Sequence, residues 1–137
     1  MKFKLDHISY AVKSSDDAIN GFEPLYPNVE VYKCLEINHN VYISYLTSEN
    51  LQHKIELVEP YGEPNPVKNI LKSQDSVLYH ICYRVDNFNE AIDYLEKNKF
   101  FMIANPFETT VEKNIWACHF FNPNTGIVEI MGKIRNE

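Results

Sequence analysis

The sequence is short of several things, and each shortage removes a class of function. No run approaches the ~20 consecutive apolar residues that a membrane-spanning helix needs. The opening MKFKLDH carries lysines with no apolar stretch behind them, so no targeting signal is read there and the expected location is cytoplasmic. Cysteine occurs only at 34, 82 and 118, an odd number widely spaced, which points to free thiols in a reducing compartment rather than a disulfide framework. Lys and Arg together number 13 against 19 Asp and Glu. The net charge of −6 argues against a nucleic-acid surface, which needs clustered positive charge. It does not exclude a small anionic substrate, because a local cleft can be positive on an acidic protein.

What is present is one domain's worth of chain, 137 residues, at ordinary apolar (45%) and charged (23%) content. One phrase occurs twice. LDHISYAV (5–12) and LYHICYRV (78–85) share L-x-H-I-x-Y-x-V, five matches in eight positions. An internal repeat follows. His80 minus His7 is 73, and the same offset carries Ala18-Ile19 onto Ala91-Ile92, VYISYL (41–46) onto NIWACH (114–119), and Glu56 onto Glu129, with no gap.

The pattern predicts a strand over 3–12, then a helix near 16–25 with Ser14, Ser15 and Asp16 as N-cap candidates and Pro24 and Pro27 limiting it. Strands follow at about 28–36, 40–47 and 52–58. A linker covers 59–76, with Pro66 placed to open a short helix through Leu71. The second half repeats the plan: strand 77–85, helix 88–98, strands near 100–104, 113–121 and 126–132, with Asn122-Pro123-Asn124 as the last turn. This describes two βαβββ modules, about 1–58 and 77–137, in a single domain over 1–137. Halves of this size bury little core alone, so a shared core is expected.

Strand alternation places the histidines. Ile8, Tyr10 and Val12 share one face and Ile81, Tyr83 and Val85 the matching one, which the module's helix should cover. His7 therefore lies with Ser9 and Ala11, and His80 with Cys82 and Arg84. Glu56 and Glu129 each sit between apolar residues that point the other way. Taken singly, such residues read as a packed histidine and a solvated glutamate. Taken as a repeat they are a His–Glu pair spaced 49 apart in both modules (56 − 7 and 129 − 80). If the modules pair about a pseudo-twofold axis, His7, Glu56, His80 and Glu129 converge as an N/O ligand set suited to Zn, Ni, Co, Mn or Fe(II). Two such carboxylates would be costly to bury without a cation between them.

These residues carry a resemblance. Together with KIELVEPYGEPNPVKNIL (54–71) and FFNPNTGIVEIM (120–131), the octets make the chain resemble the vicinal oxygen chelate superfamily, the glyoxalase/bleomycin resistance/dioxygenase group. Within it the chain is most similar to methylmalonyl-CoA epimerases, chiefly through residues 55–71. The resemblance implies an α+β fold in which two tandem βαβββ modules form a curved mixed-sheet cleft, and a homodimer. It implies a divalent metal (Zn, Ni, Co or Mn) held by His7, Glu56, His80 and Glu129, with Glu129 also moving a proton. The substrate implied is an acyl-CoA thioester or a thiol adduct such as a hemithioacetal, for an epimerase-like isomerase or a glyoxalase I (lactoylglutathione lyase)-like lyase.

One position departs from the epimerase pattern. The resemblance puts Asn38, in LEINHNV, at the position of the second epimerase glutamate, and on an extended segment Glu36 would share its face. Two rival readings remain: an Fe(II) dioxygenase of the same superfamily, which Glu56 disfavours as a fourth ligand, and a non-catalytic small-molecule or drug binder, which an intact ligand set disfavours. Arg84 could meet a substrate carboxylate or phosphate, or be a surface arginine, and His119 could line the cleft. Cys82 reads as a small buried thiol, His39 and His53 as turn residues, and Trp116 as core or cleft wall.

Overall fold

Both histidine octets fold as strands, and each leads into a helix that covers its apolar face. The computed structural model describes residues 1–65 and 67–135. The elements run β1 (Lys4–Val12), α1 (Ser15–Phe22), β2 (Glu30–Glu36), β3 (Val41–Thr47), β4 (Lys54–Pro60), α2 (Val67–Ile70), β5 (Ser76–Arg84), α3 (Phe88–Lys97), β6 (Phe101–Met102), β7 (Phe107–Glu108), β8 (Trp116–Asn122) and β9 (Gly126–Gly132). The chain divides into two compact units. One is His7–Tyr79; the other joins Met1–Asp6 to the residues from His80 onward.

In the first unit the strand order is β2-β3-β4-β1, with β1 parallel to β4 and the remaining pairs antiparallel. Helix α1 begins where Ser14 accepts a hydrogen bond from the Asp17 N–H, and the Ser15 N–H donates to Glu59 Oε1 at 2.6 Å. It ends at Phe22, three residues short of the sequence reading and before Pro24. Its apolar residues Ala18, Ile19 and Phe22 pack with Tyr10 on Val12, Leu46, Ile55 and Leu57. Because Ile55 and Leu57 point into that cluster, Glu56 must point to the opposite face.

The second unit repeats the design, with order β5-β9-β8-β6, β7 on β8, and β5 parallel to β9. Asn87 caps α3 by accepting from the Glu90 N–H, and Phe88, Ala91 and Leu95 pack on Val85, Cys118, Phe120 and Ile130. The turn between β8 and β9 closes through the Asn122 side chain, which accepts from the Asn124 N–H, and Gly126 at φ +79°. Gly132 is required for a different reason: a Cβ there would stand 2.6 Å from the Val85 carbonyl oxygen.

Each helix covers its own sheet face, and the clusters around α1 and α3 each gather residues of one unit. Two expectations change. The strand expected near 100–104 shortens to Phe101–Met102, and a further short strand, β7, forms at Phe107–Glu108 beyond Pro106. The ungapped offset of 73 fails at the third strand. Tyr45 stands opposite Glu56 while His119 stands opposite Glu129, an offset of 119 − 45 = 74. The slip matters because one residue reverses a strand's faces. Leu46 joins the helix-side cluster, whereas His119 shares a face with Glu129. The role expected of Pro66 in opening the linker helix lies outside the described residues; the helix itself covers Val67–Ile70. Among the described residues no helix is long and apolar enough to cross a membrane.

Candidate functional site

Each unit carries half of the expected ligand set. In the first, β1 and β4 run parallel with Ser9 beside Glu56, which brings His7 and Glu56 onto one face. Both are buried, His7 completely, and His7 Nε2 lies 3.5 Å from Glu56 Oε2. The other oxygen, Oε1, accepts a 2.7 Å hydrogen bond from the Ser9 hydroxyl. The Tyr45 ring packs edge-on to His7 at 5.6 Å between centroids.

In the second unit β5 and β9 are parallel with Cys82 beside Glu129. His80 and Glu129 are again buried, and His80 Nε2 lies 3.4 Å from Glu129 Oε1. His119 reaches across from β8, placing Nε2 2.7 Å from Glu129 Oε2, with its ring 5.0 Å from that of His80. The structure thus brings His7 to Glu56 and His80 to Glu129, and adds Ser9 and His119. Ser9 was legible as a neighbour on the His7 face. The His119–Glu129 contact was missed, although counting outward from the 122–126 turn places them opposite each other.

The separations fit a cation. A divalent ion bound about 2.1 Å from each donor sets adjacent donor atoms roughly 3.0 Å apart in an octahedral shell and 3.4 Å in a tetrahedral one. The observed 3.4 and 3.5 Å lie at the tetrahedral end, beyond the ordinary N–H···O bond length. A neutral imidazole and a carboxylate are also the donor chemistry such an ion takes.

The other candidates fall elsewhere. Arg84 donates through Nε to Asp6 Oδ1 at 3.0 Å and through both terminal nitrogens to Glu112. The Glu112 hydrogen bonds, then those to Asp6, raise its pKa against the opposing effect of burial, so this arginine is a strut between β5, the N-terminal segment and the 109–115 loop. Glu36 is buried at the end of β2 with Oε1 accepting from the Asn38 N–H at 2.8 Å. Residues 37–40 form a turn, not an extended run, so Asn38 is exposed and does not share the Glu36 face. His39 and His53 lie in a turn and a bend, half-buried, and Trp116 packs against the α3 cluster.

Two of the thiols, Cys34 and Cys118, are held toward the protonated form. Burial first, then the charges of Glu36 and Glu56, pushes Cys34 up. Cys118 is pushed to about 12, by burial first and then by Glu129 and Glu96. At pH 8 roughly one Cys118 in 10⁴ is thiolate, so a maleimide or iodoacetamide should label it only after denaturation. Mass spectrometry checks this, and labelling of native Cys118 within minutes would contradict it.

Comparison with known proteins follows the same line. A family model described as the Glyoxalase/Bleomycin resistance protein/Dioxygenase superfamily matches residues 6–118. The mitochondrial methylmalonyl-CoA epimerase of Dictyostelium discoideum is 28% identical over 93 residues, which is 67% of this chain and 55% of that protein. That of Homo sapiens is 29% identical over 98 residues, 70% of this chain and 54% of that protein. The chain spans about half the length of these relatives. Among solved structures, a methylmalonyl-CoA epimerase from Mycobacterium tuberculosis aligns with TM-score 0.79 over 96% of this chain and 89% of that one, at 15% identity. One from Streptomyces coelicolor, in complex with 2-nitronate-propionyl-CoA, gives 0.77 over 96% and 98%, at 16% identity. At such identities the likeness is one of fold.

Proposed function

The chain belongs to the glyoxalase/bleomycin resistance protein/dioxygenase superfamily, and we propose that it is a metal-dependent epimerase acting beside a thioester carbonyl. The observation that carries the reading is the matched pair of buried His–Glu contacts, 3.5 Å in one unit and 3.4 Å in the other. Methylmalonyl-CoA epimerases among the relatives support the substrate class, a small acyl-CoA. A homodimer in the cytoplasm is the accompanying reading.

His7, Glu56, His80 and Glu129 would hold one Zn, Ni, Co or Mn ion. When bound, such an ion polarises neighbouring substrate oxygens and so acidifies the adjacent C–H. Glu129 is the base: a carboxylate within hydrogen-bond reach takes the α-proton and returns it. Inversion needs a second proton-transfer group, and buried Glu36, its Oε1 held by the Asn38 N–H, is the carboxylate proposed for it. Burial of Ser9, Cys82 and Ala11 beside these groups limits competing water at the ligands.

Incubation with methylmalonyl-CoA in D₂O tests the reading directly. Deuterium should enter the α-carbon as the two epimers of the thioester interconvert. Exchange confined to the hemithioacetal of methylglyoxal would instead assign a glyoxalase I-type lyase. Ferrous-iron-dependent oxygen uptake would assign a dioxygenase. No exchange and no metal uptake would leave a small-molecule binder.

A further inference from the structure

We propose that His119 is a positioning residue for Glu129, fixing one carboxylate oxygen so that the other is presented to the cation and to the substrate proton. The inference rests on the metal-centre reading above and deepens it.

Glu129 uses its two oxygens differently. Oε2 meets His119 Nε2 at 2.7 Å, while Oε1 faces His80 Nε2 at 3.4 Å. With Glu129 ionised the carboxylate only accepts, and the 2.7 Å contact then has His119 donating from Nε2. A charge-assisted bond of this length, made from a neighbouring strand, holds the carboxylate in one rotamer. The other unit does the same with different residues. There the Ser9 hydroxyl holds Glu56 Oε1 at 2.7 Å, and Oε2 is the oxygen facing His7.

The exchange of roles can be followed strand by strand. Cys82 holds the place beside Glu129 that Ser9 holds beside Glu56. A thiol is a weak donor, and this one is directed at the Tyr83 carbonyl at 3.9 Å. Tyr45 holds the place opposite Glu56 that His119 holds opposite Glu129, and its ring packs on His7. Where the first strand carries a thiol in place of the hydroxyl, the antiparallel neighbour supplies an imidazole. Each glutamate therefore has a strong donor at one oxygen, from a different strand in each unit.

The prediction is a rescue. Partners that hold a metal-ligating carboxylate typically contribute about 10–100-fold in metal affinity. His119→Phe should therefore lower Zn²⁺ affinity by that factor in a titration against a chromophoric chelator. His119→Gln, which keeps a donor, should lose less. Adding Cys82→Ser to His119→Phe should recover most of the loss, because the new hydroxyl stands beside Glu129 as Ser9 stands beside Glu56. In the metal-free protein, imidazole ¹H–¹⁵N NMR should show His119 protonated at Nε2. An unprotonated Nε2 would overturn the proposal. So would a His119→Phe protein that binds Zn²⁺ like the wild type, or a folded double variant without recovery. A wild-type protein that takes up no Zn²⁺ sinks the metal reading instead, and the NMR measurement still decides whether His119 holds Glu129.

Discussion

Glu129→Gln is expected to slow α-proton exchange by roughly 10²- to 10⁴-fold, the contribution of a positioned general base. That is about 3–5 kcal/mol of lost barrier lowering. The substitution is nearly isosteric, and the amide oxygen can still accept from His119, so the β8–β9 contact and the fold should survive. What is lost is the capacity to carry a proton and the negative charge beside His80. Deuterium incorporation measured by mass spectrometry, with the thermal midpoint recorded on the same sample, separates chemistry from folding. Exchange within about threefold of wild type would move the base elsewhere, with Glu36 the first alternative.

Removing the cation should have a second large effect, on rate and stability together. Dialysis against a strong chelator should abolish exchange, and Zn²⁺, Ni²⁺, Co²⁺ or Mn²⁺ should restore it to different extents. The stability change follows from linkage: an ion present at 1,000 times its dissociation constant stabilises the folded state by about 4 kcal/mol. For a chain of this size that corresponds to a fall in Tm on the order of 10 °C. There is a structural cause as well: Glu56 and Glu129 are both buried, and buried carboxylate charge is costly without a cation to offset it. Unchanged exchange and unchanged Tm, with metal verified below stoichiometric level, would refute the account.

Much of this molecule was legible from residue order, and particular residues show why. The octets announced β1 and β5 because five repeated positions fix both strand and register. Alternation then separated Ile55 and Leu57 from Glu56 without any knowledge of the partner strands. The closeness of His7 to Glu56 and of His80 to Glu129 was foreshadowed by a constant spacing of 49. The slip at β3 was not legible, since Tyr45 and Glu56 are 11 residues apart where His119 and Glu129 are 10, and no identical residue marks the change. That slip hid the pairing of His119 with Glu129, because offset counting matched His119 to Leu46 rather than Tyr45. The Asn38–Glu36 reading failed for a local reason: the backbone turns at 37–40, so alternation no longer applies. Arg84 could not be placed because its partners Asp6 and Glu112 lie 78 and 28 residues away.

The most direct test counts cations. Each unit offers a His–Glu pair, so two independent half-sites and one joint site predict different stoichiometries. Elemental analysis of the zinc-loaded protein should give one ion per chain, and X-ray absorption should report two imidazoles around it. Two ions per chain with one imidazole each, or no ion retained, would contradict the assignment of His7, Glu56, His80 and Glu129 to a single centre.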